Sequence, residues 1–359
     1  MGGVWGNRIK ISIFGESHGE AIGAIIDGLP SGIKLNLDAI RFQMKRRSPG
    51  QSDIATTRRE EDEFQILSGY FNGYTTGTPL AFMIKNNDTR SNDYEYLKDI
   101  PRPGHGDYTG RIKYKGYNDY RGGGHFSGRI TAPIVFAGAI CRQMLEEKGV
   151  HIGSHIKSIG MVEDASLDPV NIDSHLLHKL GNMALPVLDE NKADLMKTEI
   201  LSAKAEEDSI GGIIECAVIG LPAGIGEPFF DSVESSLSHI LFSIPGVKGV
   251  EFGTGFDISR MRGSESNDEF YIHDGAVKTR TNHCGGIQGG ITNGMPVIFR
   301  VAIKPTSSIG KTQKSIDMSK MEEVELNIKG RHDPCIVPRA VPVVEAAAAI
   351  AILNLILEE

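Results

Sequence analysis

The chain has 359 residues, of which 40% are hydrophobic and 23% charged, as is typical of a soluble globular protein with one large domain or two ordinary ones. The formal net charge of −8 at pH 7 argues against bulk binding to nucleic acid or a membrane surface. Cys141, Cys216, Cys284 and Cys335 are far apart in sequence and no secretory signal pattern is visible, so a disulfide framework and a zinc knuckle are not indicated and a reducing cytosol fits best.

The first predicted elements are two strands and a helix. Residues 9–14 alternate like a strand, and residues 21–26 form a second strand that ends at a turn containing glycine and proline. Asp38 is the predicted N-cap of a helix that runs through Arg47 and stops at the Ser-Pro-Gly sequence of residues 48–50.

Three later helices are predicted to be largely apolar. Thr131 is the predicted cap of a helix that is almost wholly hydrophobic over residues 134–145. Asp231 and Glu234 form a capping-box pattern for the next, and the last begins near Pro342. Because such helices need cover on both sides, the sequence predicts a helical layer between two sheets.

Two further stretches carry no predicted chemistry. The apolar run at residues 346–357 is too short to span a bilayer and is predicted to be a buried core helix. Residues 189–208, rich in charged side chains, are predicted to form a solvated helix or excursion.

Residues 14–20 read FGESHGE and contain the G-x-S-x-G pattern of a serine-hydrolase nucleophile elbow, with His18 beside Ser17. A helix directly follows such an elbow, and the loop that completes its oxyanion hole normally precedes it. Here more glycines and a turn follow, and no such loop lies upstream. The context favours His18 as the chemical group, with a buried structural histidine as the alternative.

Basic residues are concentrated between residues 41 and 59, where only Asp53 opposes them. Such a run is either a solvated helix face or an anion site. The basic members are Arg41, Lys45, Arg46, Arg47, Arg58 and Arg59.

A glycine-rich segment, RPGHGDYTGRIKYKGYNDYRGGGHFSGR, covers residues 102–129. Consecutive glycines let backbone N–H groups approach an anion or a flat ring, and the recurring arginines indicate a phosphate-bearing ligand. The alternative is a glycine-rich surface loop. The candidate titratable groups are therefore His18 in FGESHGE, His105 in this segment and Asp333 in KGRHDP near the C-terminus.

No metal site or nucleotide fingerprint is predicted. His151 with His155, and His175 with His178, have spacings compatible with metal ligands, but no partner ligand lies nearby in sequence. The chain contains neither a Walker A sequence nor a G-x-G-x-x-G after a strand.

A series of motifs occurs in order over nearly the whole chain: FGESHG, DGLPSG, RRSPG, TTGTP, RPGHGDYT, DYRGGGHFSGR, HCGGIQGGITNG, KPTSS and KGRHDPC. Each motif alone is a weak indicator, but the ordered set closely resembles the chorismate synthase family. The resemblance implies an α+β fold in which residues 1–359 form one catalytic domain, a sandwich with a buried helical layer between two antiparallel β-sheets. It also implies a cytoplasmic homotetramer.

The implied activity is that of a carbon–oxygen lyase acting on a phosphate in the shikimate pathway. It converts 5-enolpyruvylshikimate 3-phosphate to chorismate and phosphate by 1,4-anti elimination and requires reduced FMN without net redox change. By the same resemblance, His18 protonates the departing phosphate, His105 stabilises the reduced flavin, and Asp333 is a proton relay.

The resemblance also implies binding residues, which suit a substrate with two carboxylates and a phosphate because arginine pairs bidentately with such anions. The expected substrate contacts are Arg47, Arg102, Arg129 and Arg331, with Arg46, Arg58 and Arg339 as weaker candidates. The expected FMN contacts are His125, Phe126, Ser127, Pro245, Gly246, Gly289, Lys304, Pro305, Thr306, Ser307, Ser308 and Arg331. Some relatives have arginine where His125 stands and a basic residue where Asp53 stands.

Other functions stay open at this point. An FMN-dependent oxidoreductase or flavin reductase would share the flavin site, a serine hydrolase would depend on Ser17, and a binding module would turn over nothing. NADPH is a candidate reductant for FMN, but without a Rossmann fingerprint an outside source of reduced flavin is favoured.

Overall fold

The computed structural model describes residues 2–50, 54, 62–87, 97–328 and 332–358. The helices are α1 (Leu37–Arg47), α2 (Asp107–Lys113), α3 (Thr131–Glu146), α4 (Ser174–Gly181), α5 (Glu190–Ala205), α6 (Val233–Leu241), α7 (Gly263–Ser266) and α8 (Val337–Ile356). The strands of the first half are β1 (Val4–Trp5), β2 (Lys10–Gly15), β3 (Ala21–Asp27), β4 (Phe64–Ser68), β5 (Tyr70–Phe71), β6 (Tyr74–Thr75), β7 (Leu80–Lys85), β8 (His151–Ile159) and β9 (Val162–Glu163). Those of the second half are β10 (Gly212–Ile219), β11 (Val247–Phe252), β12 (Phe270–His273), β13 (Ala276–Thr279), β14 (Ile287–Gln288), β15 (Ile291–Thr292), β16 (Val297–Ile303), β17 (Gln313–Asp317) and β18 (Glu322–Leu326).

Two five-stranded antiparallel sheets form the outer layers. The first has the order β1-β2-β3-β7-β4, and the second has the order β11-β16-β10-β8-β9. In the first sheet Ala24 of β3 pairs with Ile13 of β2 and with Phe82 of β7. In the second, Cys216 of β10 pairs with Ser154 of β8 and with Phe299 of β16.

The helical layer lies between these sheets. Helix α3 packs against β3 of the first sheet, and α8 packs against β8 and β10 of the second. The ring of Phe82 on β7 stacks on that of Phe136 on α3, with centroids 3.7 Å apart. A single hydrophobic cluster includes side chains of both sheets and of the helices between them, so the sandwich predicted from the sequence is confirmed.

Helices α3 and α8 approach closely because Gly138 has no side chain. A Cβ at Gly138 would lie 2.4 Å from the Cα of Ala346 on α8. The run of alanines on α8 and this glycine let the two helices pack nearly backbone to backbone. Helix α8 is long and apolar enough to cross a membrane, yet 89% of its apolar window is buried inside the protein, as expected of a core helix.

Helix starts differ from those predicted at α1 and α3. The N-cap of α1 is Asn36, whose side chain accepts hydrogen bonds from the backbone of Asp38 and Ala39, each at 3.1 Å. Asp38 instead lies in the first turn, where its charge complements the helix dipole. Thr131 is the first residue of α3, and its hydroxyl donates to the carbonyl of Gly128 at 2.7 Å.

The starts of α6 and α8 also differ from those predicted. Ser232 caps α6 by accepting from the backbone N–H of Ser235 at 3.0 Å, so the predicted capping box is wrong. Helix α8 begins at Val337, and the predicted start at Pro342 is wrong because Pro342 lies inside it. Burial of the whole apolar helix there outweighs the cost of the missing N–H. The charged stretch after Asp189, predicted to be either a solvated helix or an excursion, is helix α5.

Candidate active site

The turn that carries His18 connects β2 to β3, and His18 is buried with 7% of its surface exposed. The Oγ of Ser17 donates to the carbonyl of Gly122 at 3.1 Å and lies 3.1 Å from Nδ1 of His18. The carbonyl of Arg121 also lies 3.3 Å from this Oγ, so two carbonyls compete with Nδ1 of His18 for the single hydroxyl hydrogen. In a hydrolase the histidine accepts the serine proton, and this geometry does not favour that transfer.

A run of three glycines brings the two candidate histidines together. Gly122 has φ +59°, and a Cβ there would lie 2.1 Å from both Cε1 and Nδ1 of His18. At Gly123 a Cβ would lie 2.9 Å from Cε1 and 3.0 Å from Nε2 of His105. Successive glycines therefore form the surface on which both imidazoles pack, and any side chain would displace a ring.

Asp119 adds negative charge near His18. Burial raises the pKa of Asp119, but hydrogen bonds from Arg121 and the charge of His18 bring the pKa below its ordinary value. The imidazole of His18 therefore has a carboxylate in its surroundings.

His105 is held by a buried ion pair. Its Nδ1 donates to Oδ1 of Asp107 at 2.6 Å, and Nε and Nη2 of Arg102 donate to the same carboxylate at 2.7 and 2.8 Å. Burial raises the pKa of Asp107, yet these hydrogen bonds hold the pKa well below its usual range. Since Nδ1 is occupied, Nε2 is the nitrogen of His105 that faces Gly123.

The KPTSS segment at residues 304–308 packs against this ion pair. Ser308 accepts from Nη1 of Arg102 at 3.0 Å, and Nζ of Lys304 donates to the carbonyl of Gly104 at 2.6 Å. Burial and the charge of Lys248 lower the pKa of Lys304. This site has a surplus of positive charge that an anion would relieve.

Asp333 lies on the other side of the same segment. Its carbonyl accepts from the hydroxyl of Thr306 at 2.9 Å, and its carboxylate pairs with Arg339. Nε of Arg339 in turn donates to the carbonyl of Arg47 at 3.0 Å.

Arg47 and Arg129 converge on one carboxylate. Nε of Arg47 donates to Oδ2 of Asp62 at 2.9 Å, and Nη1 of Arg129 pairs with Oδ1. Ser48 also donates to Oδ2, at 2.9 Å. Burial raises the pKa of Asp62, but the two guanidinium groups hold the pKa below its ordinary value. Nε of Arg129 donates to Asn86 at 3.1 Å, and the Asn86 amide reaches the His18 turn.

These contacts, joined by the backbone of residues 16–17, 122–123 and 306–308 and by the packing of His105 on Gly123, form a closed series that we call the contact ring. Its members are Asp62, Arg129, Asn86, Ser17, His18, Gly122, Gly123, His105, Asp107, Arg102, Ser308, Thr306, Asp333, Arg339 and Arg47. The ring thus connects eight separate stretches of the sequence, from the β2–β3 turn to the start of α8.

The remaining predicted flavin contacts lie beside the ring or away from it. His125 donates from Nδ1 to the carbonyl of Gly15 at 2.8 Å, and Phe126 packs on Gly110 of α2. The carbonyl of Gly246 accepts from the backbone N–H of Lys304 at 2.9 Å. Among the described residues, no contact joins the ring to Gly289, which lies in the β14–β15 turn.

One predicted anion contact lies away from the ring, and others fall outside the described residues. Arg46 pairs with Glu345 of α8 at 2.5 Å inside the helical layer, so its use as an anion contact is not supported by its position. Arg331, Arg58, Arg59 and Asp53 lie outside the described residues.

Three members of the ring were not predicted from the sequence. Asp62, Asn86 and Asp107 are short polar residues whose roles depend on distant partners. Only Asp107 carried a local signal, because it lies two residues after His105 in the same turn.

A second buried histidine forms an ion-pair cluster outside the ring. His155 lies between Asp164 at 3.1 Å and Glu215 at 2.9 Å, so carboxylates absent from its sequence neighbourhood reach it through the fold. Over the part of the chain that the structure describes, no group of three or more His, Cys, Asp or Glu side chains is arranged to hold a metal ion.

Comparison with known proteins connects this site to a family. The family model for chorismate synthase matches residues 9–357. The chain belongs to the chorismate synthase family. A chorismate synthase from Pyrococcus abyssi is 48% identical over 349 residues, which cover 97% of this chain and 96% of that protein. One from Thermococcus gammatolerans is 46% identical over 349 residues, with the same coverage of 97% and 96%.

A crystal structure of chorismate synthase superposes on the chain with a TM-score of 0.75 and 29% identity, covering 99% of this chain and 93% of that one. The sequence-based assignment to the chorismate synthase family is therefore confirmed, as is its α+β fold. The chain is an enzyme of this type, a lyase of aromatic amino-acid biosynthesis that forms chorismate.

Proposed function

We propose that the chain converts 5-enolpyruvylshikimate 3-phosphate to chorismate and phosphate by 1,4-anti elimination, with reduced FMN required and no net redox change. The contact ring carries this proposal, because it collects His18, His105 and Asp333 beside buried arginines. A trianionic substrate needs such a concentration of positive charge in an otherwise acidic protein.

The arginines of the ring are the proposed substrate contacts. Arg47, Arg102 and Arg129 are 1%, 6% and 5% exposed, and a guanidinium held away from water binds carboxylate or phosphate strongly. Arg331 completes the proposed set from outside the described residues.

His18 is the proposed proton donor to the departing phosphate. It is buried in the turn between β2 and β3, its Nδ1 lies 3.1 Å from Oγ of Ser17, and the carboxylate of Asp119 lies nearby. A histidine held this way transfers its proton to a leaving oxygen and lowers the barrier to cleavage.

The residues near the KPTSS segment fit the phosphate tail of FMN. Gly104, Lys304 and Ser307 form a small cradle in which a Cβ on Gly104 would lie 3.4 Å from Nζ of Lys304. The other proposed contacts are His125, Phe126, Ser127, Pro245, Gly246, Gly289, Pro305, Thr306, Ser308 and Arg331. When bound, reduced FMN supplies transient electron donation that assists loss of phosphate.

Two residues would act next to the flavin. His105, with Nδ1 fixed by Asp107, directs Nε2 toward the glycine segment, where it can hold a proton beside a reduced ring. Asp333, whose carboxylate pairs with Arg339, would act as a proton relay.

We propose that residues 1–359 form one catalytic domain, since a single hydrophobic cluster unites both sheets. We also propose a cytoplasmic homotetramer that takes reduced FMN from an outside source. Phe229, Phe230 and Phe256 are 85%, 90% and 84% exposed, and association of copies would cover such apolar surface.

An anaerobic assay with 5-enolpyruvylshikimate 3-phosphate and catalytic reduced FMN tests the proposal by following phosphate release. We expect turnover in the wild type and losses of about 10²-fold to 10⁴-fold in H18A and H105A. H273A, at a histidine that is 67% exposed on β12, is the matched control and should keep full activity.

The assay also separates the alternatives. A flavin reductase would consume reductant in proportion to product and release no phosphate. A serine hydrolase would be labelled by a phosphonate at Ser17, and a binding module would give no product at all.

A further inference from the structure

Both polar atoms of the Asn86 side chain form hydrogen bonds, and these bonds connect two parts of the contact ring. Its Nδ2 donates to the carbonyls of Glu16 and Gly19, both at 2.9 Å. Its Oδ1 accepts from Nε of Arg129 at 3.1 Å. Asn86 directly follows β7, and its backbone N–H donates to the carbonyl of Glu20 at 3.2 Å, so its own position is set by the sheet.

The two carbonyls that Asn86 binds are the ends of the turn that carries His18. The backbone N–H of Gly19 donates to the carbonyl of Glu16 at 3.1 Å, which closes this turn. A donor bound to both ends prevents the turn from opening or rotating, and the direction of His18 depends on the turn.

The oxygen of the same Asn86 amide helps to orient Arg129. Nη1 pairs with Asp62, Nη2 donates to the carbonyl of Lys85 at 3.3 Å, and Nε is held by Asn86. Asn86 therefore links Arg129 directly to the His18 turn through one side-chain amide.

Few side chains can make this connection. The site requires two N–H donors and one acceptor on the same short side chain, which asparagine provides. Aspartate has the same shape but no donors when ionised, and glutamine is longer by one methylene.

We propose that Asn86 is a positioning residue that fixes the proton donor His18 relative to the anion-binding Arg129. This rests on the function proposed above for these two residues. In this role Asn86 does not touch the reacting atoms. It keeps the distance and angle between imidazole and guanidinium constant while the phosphate departs.

A double-mutant cycle of N86D and H18A tests the proposal. N86D keeps the size of the side chain but places a carboxylate oxygen against two carbonyls, so the turn should shift. We expect turnover to fall about 10²-fold in the wild-type background and less than about threefold when His18 is already alanine. Equal losses in both backgrounds would show a general structural effect and overturn the proposal.

The matched control is N87D, which makes the same chemical change at the next residue, where the side chain is exposed. N87D should keep wild-type turnover. Thermal melts of each variant establish that the compared proteins are folded. If N86D does not fold, N86A enters the same cycle, and N86A with wild-type turnover would contradict the proposal.

A readout without substrate separates this proposal from the proposed function. The imidazole signals of His18 in the NMR spectrum of the unliganded protein can be assigned by their loss in H18A. They should move in N86D and stay in place in N87D. If the wild type shows no turnover, the proposed function fails, while unmoved His18 signals in N86D would refute the positioning role itself.

Discussion

Nδ1 of His105 lies 2.6 Å from Oδ1 of Asp107, and this contact determines that Nε2 is the nitrogen facing the glycine segment. The same carboxylate binds Arg102, so one buried acid orients a proposed proton-holding group and a proposed anion-binding group.

Replacing Asp107 should impair both functions. In D107N the charge that pairs with Arg102 is lost, and the amide can present an N–H where His105 now donates. We expect turnover to fall about 10²-fold and the KM for substrate to rise. Steady-state kinetics checks this, with D257N as control because Asp257 is a surface acid that is 73% exposed. Equal kinetics in the two variants would contradict the role of Asp107.

A methyl group at Gly122 should displace His18. The Cβ in G122A would lie 2.1 Å from the imidazole, whereas at Gly116, with φ +79°, a Cβ meets nothing within 4 Å. G116A therefore introduces backbone strain alone, which lowers the free energy of unfolding by about 1 kcal/mol, and this variant should keep wild-type turnover. G122A should lose at least about 10²-fold in the phosphate-release assay. Similar turnover in both variants would mean that the glycine does not hold His18 in place.

Glu345 should make stability depend on pH in the acid range. Burial raises its pKa, but Arg46, Arg142 and Ser154 bring the pKa below its ordinary value. Such a carboxylate stabilises the protein above the unfolded-state pKa, near 4.5, and this contribution is lost as the pH falls through the lower folded-state pKa.

Urea unfolding of E345Q measures this contribution. At pH 7 the variant should lose about 3 kcal/mol of unfolding free energy, because two arginines lose a buried partner. Its stability should then fall less steeply than that of the wild type below pH 4.5. E146Q removes a 43% exposed partner of the same Arg142 and should change stability by less than about 1 kcal/mol. Parallel acid profiles for E345Q and wild type would refute this assignment.

His155 should act in the opposite pH direction. Burial lowers its pKa, but the hydrogen bonds and charges of Asp164 and Glu215 raise the pKa above the ordinary 6.5. Its stabilising contribution is therefore complete below pH 6.5 and is lost as the pH rises through the higher folded-state pKa. H155Q should cost about 3 kcal/mol near pH 6 and flatten the decline of stability at alkaline pH. Urea melts between pH 6 and 9 check this, and an unchanged alkaline slope would disprove it.

Local patterns in the sequence predicted two strands of the first sheet and the main helices between the sheets, but no strand of the second sheet. Strands β2 and β3, the end of α1 and the apolar helices α3 and α8 follow from periodicity and from breakers such as residues 48–50. Helix starts were less predictable, because several polar residues before α1 and α6 can serve as caps and the packing of each helix selects one.

The site itself was predicted in part. His18, His105 and Asp333 stand in distinctive motifs, and the structure brings all three into the contact ring. Asp62 and Asn86 carry no comparable motif, since a short polar residue at a strand end is ordinary. Arg129, the partner that they share, is 67 residues from Asp62 and 43 residues from Asn86 in sequence.

The sequence by itself determined the family, the layer of buried helices and the identity of the histidines, because ordered motifs and apolar periodicity are properties of local residue order. Only the tertiary structure showed that the carbonyls of Arg121 and Gly122 compete with His18 for the hydroxyl hydrogen of Ser17. It also decided that Asp62 pairs with two arginines and that Asn86 joins Arg129 to the His18 turn. Hydrogen-bond direction and charge pairing depend on atoms that only folding brings within about 3 Å of each other.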